Sequence, residues 1–119
     1  MVEFVIVLPI LLMLIFGVIQ FGIVYSNYLT ITDATRVGAR KGAVSRTAAD
    51  PLGLVRATVK AAASDLDQSK LDPRITITAT AWAHGGDVTV KACYPYAVNL
   101  LGFVVANGDI CSSTTERIE

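Results

Sequence analysis

The sequence has 119 residues, enough for one domain, and its ten basic and ten acidic side chains give a formal net charge of zero. Proteins that bind nucleic acid usually carry excess positive charge to replace phosphate counterions, so this balance argues against a nucleic-acid partner. The apolar content of 53% is high for a soluble chain, and the excess lies in the first thirty residues. The chain therefore divides into an apolar segment, residues 1–28, and a body of mixed polarity, residues 29–119.

The apolar segment is built for a medium other than water. From Phe4 to Tyr25 the only strongly polar side chain is Gln20. A helix of about 22 residues is roughly 33 Å long, close to the thickness of a bilayer's hydrocarbon core, whereas the apolar core of a signal peptide has only about 7–15 residues. Exposing ten or so large apolar side chains to water would cost on the order of 15–30 kcal/mol. We therefore expect this segment to lie in lipid or in a protein–protein core.

The helix of the apolar segment is predicted to continue into the body, from residue 2 to about residue 45, because no terminator follows Tyr25. Tyr25 and Tyr28 occupy the place of an interfacial aromatic belt. Further along, small residues recur at every fourth position, which leaves a groove where another backbone can approach closely. These residues are Ala34, Gly38 and Gly42.

Asp50-Pro51 is typical of a helix N-cap followed by proline in the first turn, and apolar residues at helical spacing predict a second helix over 51–68. An exit turn, Lys70 to Pro73, leads into RITITATAW, residues 74–82. There isoleucine and alanine alternate with threonine, which predicts a half-buried strand.

The last third of the chain is predicted to complete a small sheet. AHGGD, residues 83–87, is a turn, and DVTVKACYPY, residues 87–96, alternates again as a second strand. Residues 97–107 are expected to form a loop or short helix packed on the sheet. Asn107-Gly108-Asp109 is a predicted turn into a third strand, ICSSTTERI. The predicted fold is α+β: a long apolar N-terminal helix continuing into a small globular head with a second helix and a three-stranded antiparallel sheet.

The two cysteines, Cys93 and Cys111, lie near one end of each of the last two predicted strands. An exported small domain with one pair favours a disulfide; two buried free thiols in a cytosolic domain are the alternative. Zinc would need two further ligands. Arg36, Arg40 and Lys41 follow the apolar run, and positive residues favour the cytoplasmic side, unless a basic segment once preceded the chain and was removed.

No catalytic constellation is predicted, so we expect neither enzymatic activity nor a cofactor. His84 is the only histidine, and its two following glycines make it typical of a turn. The spacing of Asp109, Ser112 and Ser113 relative to His84 does not indicate a triad.

The quoted motifs resemble one known family. VEFVIVLPILLMLIFGVIQFG followed by YSNYLTITDATRVGAR is similar to the TadE-like pilins and pseudopilins of tight-adherence pilus systems, and VTVKACYPY (residues 88–96) and ICSSTTERIE extend the resemblance more weakly. The resemblance implies a basic leader that a membrane aspartyl prepilin peptidase removes at the inner face. It also implies insertion in the inner membrane, then polymerisation of identical subunits by the pilus machinery into an extracellular adhesive filament.

In this resemblance Glu3 and Met1 are the candidate assembly residues. In related pilins this glutamate is usually the fifth residue of the mature chain, whereas here it is the third residue. We therefore expect either that the mature chain starts elsewhere than Met1 or that this subunit has its own start. A carboxylate beside an apolar run needs a partner, and we expect Glu3 to pair with the N-terminal amine of its own or a neighbouring subunit, setting the register. The alternative is a glutamate favoured by the helix dipole and interface water.

The resemblance also bears on the other candidate positions. Pro9 and Gly17 are expected to be a tolerated helix kink; a segment that unwinds as a filament stretches is the alternative. The stripe of small residues is expected to pack on the chain's own sheet rather than on another subunit. Aromatic residues near the sheet are expected to pack rather than to form an adhesion patch. They are Trp82, Tyr94 and Tyr96.

Two other roles fit the same sequence. A minor pseudopilin that primes assembly needs the same helix and differs only in being scarce in the fibre. A single-pass membrane-anchored extracytoplasmic binding module that never polymerises needs the helix but not Glu3.

Overall fold

The computed structural model describes residues 1–100 and 102–119. A long helix is followed by two short helices, a 3₁₀ turn and three strands, and the strands form one antiparallel sheet in the order β1-β2-β3. This arrangement confirms the predicted α+β fold. The elements are α1 (Val2–Ala43), α2 (Pro51–Ala62), α3 (Gln68–Leu71), the 3₁₀ turn (Asp72–Arg74), β1 (Ile75–Ala79), β2 (Asp87–Leu100) and β3 (Phe103–Arg117).

Helix α1 sets the shape of the molecule, which measures 71 × 22 × 19 Å. It ends two residues before the predicted boundary, where the hydroxyl of Ser45 donates a hydrogen bond to the carbonyl of Lys41. Side chains of its first half are exposed, and burial begins at Ile31. The second half therefore belongs to the core of the body, and the first half extends from it.

The core lies between the second half of α1, helix α2 and one face of the sheet. Alternation in β2 turns Val88, Val90 and Ala92 inward, as the pattern predicts. Helix α1 lies along β2 and also contacts α2 and β3. The buried apolar cluster comprises Ile31, Ala34, Ala39, Val55, Val59, Ala63, Leu66, Leu71, Ile75, Val88, Val90, Ala92 and Ile118.

Helix α2 begins as predicted and ends earlier. The Asp50 side chain accepts a hydrogen bond from the backbone N–H of Gly53 at 3.0 Å. The predicted end at residue 68 is wrong, because α2 stops at Ala62 and Asp67 caps a new short helix by accepting from the N–H of Ser69. Aspartate competes in this way for backbone donors and favours caps over helix interiors.

The prediction for residues 97–107 is wrong over the described part of that range; Leu101 lies outside it. Strands β2 and β3 stay paired beyond the disulfide as far as Leu100 opposite Phe103, with one register shift between Val98 and Asn99. Gly102, with φ +88°, occupies the turn, a conformation that side chains disfavour. The described residues of this range therefore form the end of a long hairpin and not the predicted loop or short helix.

The predicted turn at residues 107–109 is also wrong, because these residues lie inside β3 opposite 95–97 of β2. Pro95 is compatible with this strand because β1 pairs only with Val88–Ala92, so the outer edge of β2 is open there and needs no N–H from proline. The first hairpin connection does fall at the predicted turn, where the N–H of Gly86 donates to the carbonyl of Ala83 at 2.9 Å. Strand β1 ends at Ala79, three residues before the predicted end.

Candidate membrane and assembly surface

The first half of α1, residues 2–28, is the largest apolar surface of the described molecule. An 18-residue window of this helix has a mean hydropathy of 2.9, and none of the window is buried. By length and composition the helix is sufficient to cross a membrane. We call residues 2–28 the apolar half of α1.

Glu3 and Met1 lie at the exposed free end of this helix. Glu3 is in the first turn, where the positive end of the helix dipole favours a carboxylate, and Met1 is the N-cap without a side-chain hydrogen bond. Within residues 1–100 and 102–119, the ion pairs include neither the Glu3 carboxylate nor the Met1 amine. The pair with the N-terminal amine of its own or a neighbouring subunit stays a prediction.

Pro9 and Gly17 lie inside one uninterrupted helix. Pro9 lacks the N–H that would bond to the carbonyl of Val5, four residues earlier. The N–H of Val5 donates to the carbonyl of Met1 at 3.3 Å, so the turn before Pro9 is hydrogen-bonded. The kink and its stretching alternative both stay predictions. Gly17 has a further contact that the sequence did not predict: Leu100 Cδ2 lies 4.0 Å from the position a Cβ on Gly17 would take.

The approach of Leu100 to Gly17 creates an apolar groove between the apolar half of α1 and the end of the β2–β3 hairpin. The groove has a volume of about 480 Å³ and is open to the surroundings. The hairpin end beside it is itself apolar and exposed, with Phe103 at 77%, Val104 at 58% and Val105 at 62% exposure. The groove is lined by Met13, Leu14, Gly17, Val18, Phe21 and Leu100.

The stripe of small residues on α1 packs within the chain. Ala34, Gly38 and Gly42 are buried, and a Cβ on Gly42 would lie 3.1 Å from Val88 Cγ2 and 3.2 Å from Val55 Cγ2. A Cβ on Gly38 would collide with Val59 Cγ2. The absence of side chains at these glycines allows α1 to approach both α2 and β2 closely, which is the packing on its own sheet that the sequence favoured.

Cys93 and Cys111 form a disulfide across the β2–β3 pair. They are directly opposite each other in the register, with Cα atoms 4.1 Å apart. The bond closes the part of the hairpin that extends past the body toward the apolar half of α1. It fixes the base of that extension.

The aromatic residues near the sheet have different surroundings. Trp82 and Tyr94 pack against the buried cluster, and the Tyr94 hydroxyl accepts a hydrogen bond from the N–H of Asp67 at 3.3 Å. The Tyr96 ring lies over Gly108, where a Cβ would be 3.4 Å from Tyr96 Cε1. Packing therefore accounts for the positions of all three rings.

Polar contacts that pattern reasoning missed hold the body together. Arg56 donates to the carbonyl of Asp72 at 2.8 Å and to its carboxylate at 3.2 Å, and Lys60 lies 3.6 Å from the same carboxyl group. These groups join α2 to the 3₁₀ turn before β1. They are 16 and 12 positions apart in sequence, and no motif links them.

The pKa of Asp67 lies below its ordinary value. The main cause is the hydrogen bond from the Ser69 hydroxyl, at 2.6 Å, followed by the bond from the Ser69 N–H, at 3.0 Å; both favour the charged carboxylate. Burial opposes the shift, and the nearby charge of Lys70 adds to it. This carboxylate is a helix cap, and its shift indicates a structural role.

His84 is exposed in the turn between β1 and β2. Over the two described ranges, no three residues among His, Cys, Asp and Glu are grouped so that they could hold a metal ion. The site that geometry defines is the exposed apolar half of α1 with the groove beside it.

Comparison with known proteins agrees with the sequence resemblance. The model of the TadE-like protein family matches residues 1–40, which comprise most of α1. The resemblance to TadE-like proteins is therefore confirmed for this N-terminal segment. No curated protein and no solved structure matches the chain.

Proposed function

We propose that this protein is a structural pilin subunit that polymerises through α1 into an extracellular pilus filament used in surface attachment. The observation that supports this most is the apolar half of α1. Its side chains are too apolar to be stable in water, and the chain's own body does not cover them. The TadE-like match over residues 1–40 supports a pilus-related role for the same segment.

In this proposal the apolar half of α1 first lies in the inner membrane and then exchanges lipid for the helices of identical subunits. The exchange is nearly neutral in apolar transfer free energy, because lipid tails and leucine side chains are similar solvents. Direction must therefore come from packing, from Glu3 and from the pilus machinery, including the prepilin peptidase. The disulfide suits the oxidising exterior that the filament reaches.

Glu3 supplies the polar step of this assembly. Its carboxylate lies at the free end of α1, exposed and next to Phe4, so entry into a helix bundle requires a positive partner. We propose that the partner is the N-terminal amine of a neighbouring subunit, which would fix the axial register between subunits. Nothing in this role requires enzymatic activity or a cofactor.

The proposal is tested by shearing cells and examining the released material by electron microscopy, with mass spectrometry of its N-terminus. We expect fibres that contain this chain as a main component. With Glu3→Ala, we expect fibres to be lost while the protein stays in the membrane fraction. Glu119→Ala is the matched control, since it removes an exposed carboxylate at the far end of the molecule and should leave fibre yield unchanged.

The contrary outcomes separate the rival roles. Unchanged fibre yield from Glu3→Ala would refute the pairing role. Protein that remains with membranes after shearing, in cells that make no fibre from it, would contradict polymerisation and indicate a membrane-anchored binding module. A chain found in fibres only in trace amounts would instead indicate a priming pseudopilin.

A further inference from the structure

Strand β2 and helix α1 run side by side in opposite directions for most of the length of the molecule. At one end Val88 Cγ2 lies 3.1 Å from the position that a Cβ on Gly42 would take, and at the other Leu100 Cδ2 lies 4.0 Å from the position that a Cβ on Gly17 would take. At about 3.3 Å per strand residue, the stretch of β2 from Val88 to Leu100 is roughly 40 Å long. At 1.5 Å per helix residue, the stretch of α1 from Gly17 to Gly42 is roughly 37 Å long. The two intervals agree, so a position on β2 can be assigned to a level along α1.

The hairpin tip, defined as residues 97–100 and 102–106, lies beside the apolar half of α1 rather than beside the body. Leu100 is level with Gly17, and Gly17 lies about 12 Å along the helix from Tyr25 toward the N-terminus. By the same spacing Tyr96 is level with the stretch of α1 just after Tyr25. Tyrosines on both elements thus share one level, as tyrosines do at a membrane interface.

The composition of the tip is also typical of a segment that lies beside the apolar half of α1. The sequence from 97 to 107 contains no charged side chain, and Phe103, Val104 and Val105 are among the most exposed large apolar residues outside α1. Charge resumes only at Asp109, whose carboxylate lies 3.8 Å from Arg74 Nε. The apolar surface of the hairpin ends where that of the helix ends.

We propose that the hairpin tip inserts beside α1 into the acyl region of the bilayer leaflet next to the body, so that the membrane-bound chain has two inserted elements. A helix that spans the bilayer with Tyr25 in the headgroup layer carries the tip past that layer, because β2 lies along α1 from the level of Gly42 to that of Gly17. This inference rests on the membrane-bound state of the proposed function and not on polymerisation.

The depth of insertion is limited by the hairpin's own backbone. Each headgroup layer is about 5–8 Å thick, so a tip about 12 Å from Tyr25 reaches only the outer part of the acyl region. Unpaired peptide groups are costly in hydrocarbon, and the outer edges of both strands are open at the tip. In a shallow insertion, with Leu100 and Gly102 deepest, the apolar side chains reach the acyl region while the open strand edges stay close to the headgroup layer.

Tryptophan fluorescence in brominated vesicles tests this insertion. In the full chain with Trp82→Phe, a single tryptophan is placed by Val104→Trp at the tip, by Leu14→Trp in the apolar half of α1, or by Ser113→Trp on β3. Ser113 is exposed and lies opposite Lys91, far from the tip, so it is the matched control on the same strand. Each protein is reconstituted in two sets of phosphatidylcholine vesicles, one brominated near the headgroup end of the acyl chains and one brominated deeper along them.

We expect shallow bromines to quench Val104→Trp strongly and to leave Ser113→Trp unquenched, with Leu14→Trp quenched by bromines placed deeper. Val105→Trp, at a second exposed tip position, should repeat the result, and a gel shift on reduction verifies the disulfide in each variant. Quenching of Leu14→Trp without quenching of either tip variant would overturn the inference and leave membrane anchoring intact. Tip emission that is blue-shifted but unquenched would overturn it too, indicating cover by a second copy. If Leu14→Trp is itself unquenched, the membrane-bound state fails and the inference fails with it.

Discussion

The Oγ1 atom of Thr35 lies 3.2 Å from the Oγ1 atom of Thr114, which joins the long helix to the last strand across 79 positions of sequence. Thr35 is fully buried, and its hydroxyl also donates to the carbonyl of Thr32 at 2.8 Å. A hydroxyl has one proton, so Thr114 must donate to Thr35. The contact joins the buried face of α1 to the face of the sheet that packs on it.

Removing the Thr35 hydroxyl should destabilise the body more than its size suggests. With Thr35→Val the Thr114 hydroxyl loses its acceptor in a half-buried place, and we expect a loss of about 1–2 kcal/mol in the free energy of unfolding. In the double variant with Thr114→Val neither group is left unpaired, so the loss should be smaller than the sum of the single losses. Urea denaturation in detergent, read as a double-mutant cycle, measures this; additivity within about 0.5 kcal/mol would show that the hydroxyls are not coupled.

Two glycines of α1 should respond oppositely to alanine. A Cβ on Gly38 would collide with Val59, so Gly38→Ala should lower the free energy of unfolding by about 1–3 kcal/mol through overpacking. Gly22 has open space around it, and Gly22→Ala should be neutral or stabilising by up to about 1 kcal/mol through helix propensity. Thermal unfolding of both variants in the same detergent compares them, and a Gly38→Ala protein as stable as the wild type would contradict the close packing of α1 on α2.

Sequence patterns predicted those elements whose two faces meet different surroundings. Ile75 and Ile77 alternate with exposed threonines because one face of β1 meets the core, and that asymmetry is visible as period two. The start of β3 has no such asymmetry: Phe103, Val104 and Val105 are all exposed. An apolar run without alternation does not distinguish a strand from a loop or helix. Here the run is a strand because it pairs with β2 in the long ladder between β2 and β3.

The candidate surface was predictable only in part for the same reason. The apolar half of α1 follows from composition alone, and the spacing of Gly38 and Gly42 predicts a close approach without naming the partner. The contact between Leu100 and Gly17 depends on how far the hairpin extends, which is a property of pairing between distant residues. No local pattern at either residue contains that information.

Acid should remove the contribution of one helix cap. The pKa of Asp67 is lower in the folded chain than the ordinary value near 4, so the stability it provides is complete above that value and is lost as the pH falls through the folded pKa. The difference in free energy of unfolding between wild type and Asp67→Ala should therefore shrink as the pH falls below about 4. Ser69→Ala removes the hydroxyl that lowers the pKa most and should weaken this pH dependence. A difference that is constant with pH would contradict the role of the charge.

Reduction of the disulfide should destabilise the body and loosen the hairpin most. Cys93 and Cys111 are 18 positions apart, and a closed loop of this length contributes about 3 kcal/mol in the chain-entropy treatment. Reductant should therefore lower the urea midpoint of the wild type but leave a Cys93→Ala/Cys111→Ala variant unchanged, which is the matched control. Hydrogen exchange should increase first at the tip, because no β1 residue pairs with β2 beyond Ala92 and the bond fixes the base of the extension. Equal protection of the tip in oxidised and reduced protein would show that contacts with α1, and not the bond, hold the hairpin in place.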